Sequence, residues 1–466
     1  MRSETLVALT LCAFACDNGP AGQPDAAPDA ASPDVASSDV SAPPVALFAE
    51  RFGDAADQFA WSVASGADGS IVVAGEVAGS IDFGGGPLTS AGQGDVFVAK
   101  LDAGGHHLWS ARFGDADEQY AEHVAIDASG DIAVIGSFCG NVDFGGGPLA
   151  CTGGGRDVFV AVFDGSGKHL WSKSYGSPGT IEDGWGIAFD PSGNVLVTGG
   201  AEGAIDFGGG AAPPEGEQSI FVAKLDPLGG HLWSKRVGDP LEQIGFAVTA
   251  DSAGDVLVTG RFEGTIDFGS GPMTAGLREA FVAAYDPSGN SLYSRRFGDP
   301  GAVGLAEGRG IAATAGGVVV TGTFSGPFDS VTSAGDTDVF LLGLDSAGSS
   351  RFEKRFGDAS FQNAWAMAPA PGGGVAIGGS FSGVLDFGGP KLSASDEDGF
   401  VAVLDTITGA ATSAHPLGGS GRGQVWGVAA SAGHVLAVGN FAGTLDFGGI
   451  PLVSSGGDDV FVGAFP

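Results

Sequence analysis

An all-β ring of seven four-stranded sheets is the architecture this sequence predicts. Three observations predict it: a repeated unit, four strand-like runs in each unit, and an incomplete unit at either end of the repeat region. The repeat is marked twice. The aspartate of "IDFGGGPL" recurs as Asp82, Asp143, Asp206, Asp267, Asp329, Asp386 and Asp446, at intervals of 61, 63, 61, 62, 57 and 60 residues. The phenylalanine of "DVFV" recurs as Phe97, Phe159, Phe221, Phe281, Phe340, Phe400 and Phe461, which gives the same seven copies. Four antiparallel strands in a unit of roughly 40–60 residues are the signature of a β-propeller, whose sheets bury against their neighbours the faces that none could bury alone.

In the first copy the runs are, in order, "AWSVASG" (60–66), "SIVVAGEV" (70–77), "DVFVAKLD" (95–102) and "HLWSARFG" (107–114). They alternate as strands do when one face is more buried than the other: Trp109 and Phe113 share one face, Ser110 and Arg112 the other. "DASG" (127–130), "DPSG" (190–193) and "DSAG" (251–254) join first to second runs, and "DPLG" (226–229) and "DPSG" (286–289) join third to fourth. Aspartate opens a type I turn, proline presets the next φ, and glycine takes the left-handed position that closes the hairpin. These aspartates are turn residues, not catalytic ones.

The ends choose between a ring and a linear stack. "LFAERFGD" (47–54) reads as a fourth run with no third before it, and "DDVFVGAFP" (458–466) as a third run with no fourth after it. Pairing the two closes the ring and puts Phe48 and Phe52 where Trp109 and Phe113 stand in the next copy. A solenoid would instead need polar caps at both ends.

Before the repeats, Arg2, the short apolar run 6–15 and Cys16 read as an export signal over residues 1–15, too short to span a bilayer. The stretch resembles a bacterial lipoprotein signal, which implies a lipid on Cys16. Ala13 stands where that family usually has leucine, and ordinary cleavage after Ala13-Phe14-Ala15 is the alternative. Residues 16–44 are almost wholly Ala, Pro, Asp and Ser, a composition that cannot repay the entropy of ordering, so they read as a disordered tether ahead of a propeller at 45–466. The expected location is the cell envelope, outer membrane or cell surface, held by the lipid alone; a secreted protein is the alternative.

Composition narrows the partners. The 466 residues include 55 acidic and 20 basic side chains, a formal charge of −35. Such a surface repels phosphate backbones and anionic lipid, which argues against nucleic acid as a ligand. The 85 glycines follow no three-residue period, which excludes collagen, and they punctuate short strands instead.

The copies resemble the bacterial seven-bladed β-propeller repeat of cell-surface and secreted proteins, on "VAIDASGDIAVIGSF" (124–138), "FVAKLDPLGGHLWS" (221–234) and their counterparts across about 420 residues. The resemblance implies the fold and places first runs along a central channel, with tight turns on one face of the disc and long segments on the other. It implies no shared activity.

Candidate site residues are few. One position of the first run holds Trp61, Trp185, Phe246, Trp365 and Trp426, with Glu122 and Arg309 in the remaining copies. These are either wedges packed between blades or a ring that binds sugar or peptide at the channel mouth; the charged pair suits a dry wedge poorly. His123 beside Glu122 is the histidine nearest that position. Cys139 and Cys151 flank one long loop and suggest a disulfide in an exported protein. "DFG" and the glycine runs lack the companions of kinase or phosphate-binding motifs. Acidic loops at 335–338, 395–399 and 456–459 offer at most weak Ca2+ sites, and no other cofactor is expected. The expected function is a monomeric binding scaffold for a protein on the long-loop face. A carbohydrate binder using the channel aromatics is the alternative. An enzyme built on Glu122, His123 and Arg309 ranks last.

Overall fold

The computed structural model describes residues 46–466 apart from 214, 215, 300, 302, 303 and 432. The signal segment, Cys16 and the tether lie outside the described residues. Seven antiparallel sheets carry the repeats. Blade 1 is Gln58–Ser65, Ile71–Val77, Asp95–Leu101 and His107–Phe113, hydrogen-bonded in that order. Blades 2 to 6 repeat the pattern. Blade 7 takes Gly423–Ser431, His434–Phe441 and Asp459–Phe465 from the C-terminal end and Phe48–Phe52 from the N-terminal end.

The closure runs in register from Phe48 opposite Ala464 to Phe52 opposite Val460. Arg51 crosses it to Asp459, whose side chain is fully buried, at 2.6 Å. The same arginine-to-acid link joins fourth to third strands in blades 1, 4 and 5, as Arg112–Asp95, Arg296–Glu279 and Arg355–Asp338. The "RFGD" and "DVFV" markers are therefore two halves of one contact.

Packing explains the other marker. The phenylalanine of "DFG" leaves the loop and lies on the third-strand phenylalanine of its own blade. The seven pairs run from Phe83–Phe97 to Phe447–Phe461, with ring centroids 4.5 to 5.8 Å apart. Burying one such ring is worth about 1.5–3 kcal/mol. Asp82 Oδ1 accepts the N–H groups of Gly84 and Gly86 and so bends the loop back. Blade 5 departs from the spacing read in the sequence: there the aspartate follows the phenylalanine, and Asp329 takes φ +41° and accepts from the Gly298 N–H at 3.2 Å.

A second lock holds blades together. In six of the seven blades, all but blade 6, the fourth-strand aromatic lies on the third-to-fourth turn of the next blade, so a Cβ on Gly105 would sit 2.8 Å from the Phe48 ring, and one on Gly167 2.9 Å from Trp109. Both glycines have φ near +85° (+86° and +84°), so the turn requires glycine twice over. The turn aspartates act as read: Asp127 Oδ1 accepts from Ser129 and Asp131, and Asp190 Oδ1 from Ser192 and Asn194.

Two features lie outside the sequence reading. Several long segments form short hairpins of their own, such as Ser80–Ile81 with Leu88–Thr89. The hairpin of blade 7 (Thr444–Phe447 and Ile450–Val453) adds to the edge of blade 6 through Leu417–Ser420, which makes a six-stranded sheet.

The expected Cys139–Cys151 disulfide is not formed. Both cysteines are free thiols, each donating to the Gly155 carbonyl at 3.3 Å. Burial raises both thiol pKa values, that of Cys139 to about 11.

Candidate functional site: the channel ring

The seven first strands touch one another in a closed circuit, blade 1 to blade 2 and so on round to blade 7 against blade 1. They line the axis, as the resemblance implied. That close approach demands small residues: a Cβ on Gly427 would lie 3.0 Å from the Val63 nitrogen, and one on Gly310 2.6 Å from the Met367 Cβ.

Every first strand carries a β-bulge, and in every blade the extra residue is the candidate site residue. Pairing with the second strand skips from Ala60 to Ser62 around Trp61, and likewise around Glu122, Trp185, Phe246, Arg309, Trp365 and Trp426. A bulge leaves one residue out of the ladder and re-aims its side chain. Here it does so seven times at one level of the channel.

These side chains meet. Trp61 stacks on Phe59 (5.1 Å, 14°) and meets Trp426 edge-on at 5.0 Å. Trp426 stacks on Trp365 at 5.0 Å and 28°. The Arg309 guanidinium lies 5.5 Å from the Trp365 ring and 3.8 Å from that of Phe246, which meets Trp185 edge-on at 5.4 Å. The residues are thus neither sealed wedges between blades nor freely exposed; six of them, all but Glu122, form a belt of mutual contacts. Trp426 Nε1 donates to Asn440, whereas the buried Nε1 atoms of Trp61, Trp185 and Trp365 have no acceptor among the described residues.

Two residues toward the long-loop face, the wall turns polar and divides. On blades 4 and 5, Arg261 binds Glu242 at 2.9 Å and also Glu307. Arg278 reaches Glu263 at 3.1 Å and Glu242 at 3.3 Å, and Arg309 Nε donates to Glu307 at 3.0 Å. Burial opposes the charge on Glu307, but Arg309 and Arg261 outweigh it and hold the carboxyl at about 2. On blade 3, Arg156 and the Tyr120 hydroxyl both donate to Asp183.

Blades 1 and 2 differ. The carboxylates of Glu76, Glu118 and Glu122 have no hydrogen bond or ion pair among the described residues. Burial, then the charges of Asp183 and Glu76, push Glu122 up to about 8, against the pull of Arg309 and Arg156. Burial and the neighbouring Glu118 and Asp57 push Glu76 up to about 7.

The acid–base–cation trio expected of an enzyme is not assembled. Arg309 is committed to Glu307. His123 falls in the row of small residues between strands, its Nδ1 buried without a partner among the described residues, and burial lowers its pKa to about 4. His107, His169 and His231 each pair with the serine three residues on, at 3.0–3.1 Å. The acidic loops read as weak Ca2+ sites are partly spoken for: Asp338 pairs with Arg355, Asp459 with Arg51 and Asp458 with Arg422. Among the described residues, no group of three or more His, Cys, Asp or Glu side chains is placed to hold a metal. No described helix is long and apolar enough to cross a membrane.

Sequence reasoning missed Glu76 and Glu118, which stand outside the repeated aromatic position. It also missed clefts of about 620 and 470 Å³ among the tight turns of blades 2 to 4, beside the buried Lys224–Asp190 pair.

Fold and channel together define a seven-bladed β-propeller with a polar mouth over an aromatic belt. No protein-family profile matches the chain. The regulatory protein FlaEY of Caulobacter vibrioides is 26% identical over 207 residues, 42% of this chain and 20% of that protein. An uncharacterized WD repeat-containing protein of Acanthamoeba polyphaga mimivirus is 27% identical over 126 residues, 23% of this chain and 9% of that one. The match thus spans a fifth or less of the length of these relatives. Similar solved structures include BamB from Moraxella catarrhalis (15% identity, TM-score 0.43, covering 91% of this chain and 99% of that one). The WD40 domain of Neurospora crassa Pan2 is similar too (10% identity, TM-score 0.44, covering 87% and 89%). These likenesses show the fold alone.

Proposed function

We propose that the protein is a non-catalytic binding propeller that recognises a protein partner at the long-loop mouth of its channel. The ring of seven bulged residues carries this reading. A bulge weakens the ladder, and repeating it in all seven blades to turn aromatic and charged side chains toward the axis serves recognition better than stability. A sugar would need free indole faces for stacking. One face each of Trp365 and Trp426 is covered by the other, and one face of Trp61 by Phe59. This favours a polypeptide over a glycan. The apolar run 6–15, Cys16 and the stretch 16–44 support an exported, lipid-anchored setting with the propeller at 45–466. We propose the anchor and its envelope location on those residues.

The test probes the full chain and Trp426→Ala against peptide and glycan arrays, with circular dichroism to show that the variant keeps its sheets. Peptide binding that falls at least about tenfold in the variant is the expected result. Binding to glycans alone, or binding indifferent to Trp426, overturns the reading.

A further inference from the structure

We propose that the mouth accepts a lysine or arginine side chain of the partner polypeptide, its cationic head seated among Glu76, Glu118 and Glu122 against the stacked rings of Phe59 and Trp61. This rests on the reading above and names the chemistry of what enters.

The three carboxylates converge through the backbone. Glu76 is the register partner of Phe59 and shares its face of blade 1. Glu118 pairs with Gly94 in a parallel bridge between blades 1 and 2. Glu76 leans over that bridge, its Oε1 1.9 Å from where a Gly94 Cβ would stand, so glycine there makes room for the carboxylate. Glu122 is the bulged residue of the adjoining first strand. Other acids of the mouth are answered: Glu242, Glu263 and Glu307 by arginines, Asp183 by Arg156, Asp458 by Arg422 and Glu397 by Gln424. The three carboxylates are part-exposed at the mouth, and like charges gathered there without a cation oppose one another's ionised form, so an incoming cation relieves them.

The aromatic wall is an independent sign of the same ligand. A cation over indole or phenyl faces is attracted by the ring quadrupole, and the methylene stem of lysine or arginine packs along apolar surface while its head stays polar. Arg309 sets the polarity from the opposite wall, where it would repel a cation, so the head is steered to blades 1 and 2. The charge of −35 adds a field that draws basic segments in.

The experiment follows the Trp indole N–H signals of the isotope-labelled full chain at physiological salt. The probes are acetyl-Gly-Lys-Gly-amide, the arginine analogue, and the norleucine and glutamate analogues, each titrated to millimolar concentration. The lysine and arginine peptides are expected to shift the Trp61 signal saturably. Their affinity is expected to fall roughly tenfold to hundredfold in E76Q/E118Q/E122Q. It should be retained in E50Q/E217Q/D336N, which removes the same charge from exposed positions. Norleucine or glutamate peptides that shift Trp61 as strongly would overturn the cationic ligand and leave the channel-mouth reading standing. Equal loss in both triple variants would reduce the effect to bulk charge and overturn the seat. No shift of any channel indole by any peptide would overturn both readings.

Discussion

The two walls of the channel mouth hold the same chemistry in opposite states. On blades 4 and 5, Glu242, Glu263 and Glu307 face Arg261, Arg278 and Arg309, and the six form one connected ion-pair network. On blades 1 and 2, Glu76, Glu118 and Glu122 face one another, and the cations that act on Glu122, Arg309 and Arg156, are paired with Glu307 and Asp183. The difference teaches which carboxylates the fold uses and which it merely tolerates. A paired acid at this depth stabilises the ring it sits in. An unpaired one costs stability and is retained only where something else needs it, the pattern of a binding site rather than of a scaffold.

The largest effect expected is on the paired wall. Arg261→Met removes the guanidinium that bridges Glu242 and Glu307 and lies 5.6 Å from the Phe246 ring, leaving Glu307 with two of its three arginine partners, Arg309 and Arg278. Breaking a buried pair from one side costs up to about 3–5 kcal/mol, and less where other cations stay beside the carboxylate. Denaturant melts should therefore show R261M destabilised and R261M/E307L no better, because removing Glu307 leaves Arg309 without its carboxylate. An R261M chain as stable as the wild type would mean that the network does not hold the blades.

Next in size, and opposite in sign between the walls, is the response to pH. Glu122 and Glu76 have folded pKa values raised to about 8 and about 7 from 4.5. An acid raised on folding costs nothing below its unfolded pKa, costs progressively more as pH climbs, and reaches its full penalty above its folded pKa. Lowering pH from 8 to 5 should thus return roughly 2–4 kcal/mol from this pair, discounted for the water that reaches the channel. Glu307 behaves inversely: its pKa of about 2 gives stability that is present above 4.5 and lost as pH falls toward 2. The difference in unfolding free energy between the wild-type chain and E76Q/E122Q isolates the first effect from the general charge of the surface. It should be largest at pH 8 and vanish near pH 4.5. A difference independent of pH would show that these carboxylates are already compensated.

Much of this architecture is legible in the residues, for a physical reason: a repeat multiplies each weak local signal by seven. "DVFV" is buried along its whole length in blade 1, and "HLWS" is only half-buried, as a third and an outermost strand should be. The orphan "LFAERFGD" pairs with the last strand because nothing else leaves both of its neighbours complete. The aromatic position of the first strand is visible as a column, yet its bulge is not, since a bulge exists only in the register of two strands. Glu76 and Glu118 escape notice for a related reason. They come from a second strand and from a residue before a first strand, and only the parallel bridge at Gly94 brings them together. Cys139 and Cys151 illustrate the converse, since being paired in the sequence does not make them bonded.

The smallest effect separates tolerance from use on the unpaired wall itself. Glu122→Gln keeps the shape of the side chain and removes a charge that burial, Asp183 and Glu76 all oppose, while Arg309 and Arg156 favour it. If the carboxylate serves the fold, its loss should destabilise; if the fold only tolerates it, the variant should melt higher. The expected gain is about 1–2 kcal/mol at pH 8, fading as pH falls and Glu122 becomes neutral in the wild-type chain as well. The same substitution is expected to weaken capture of basic peptides, so stability and binding should move in opposite directions from one residue. A variant that loses both would place Glu122 with Glu307 among the carboxylates that hold the ring, and the two walls would then differ only in which partners they use.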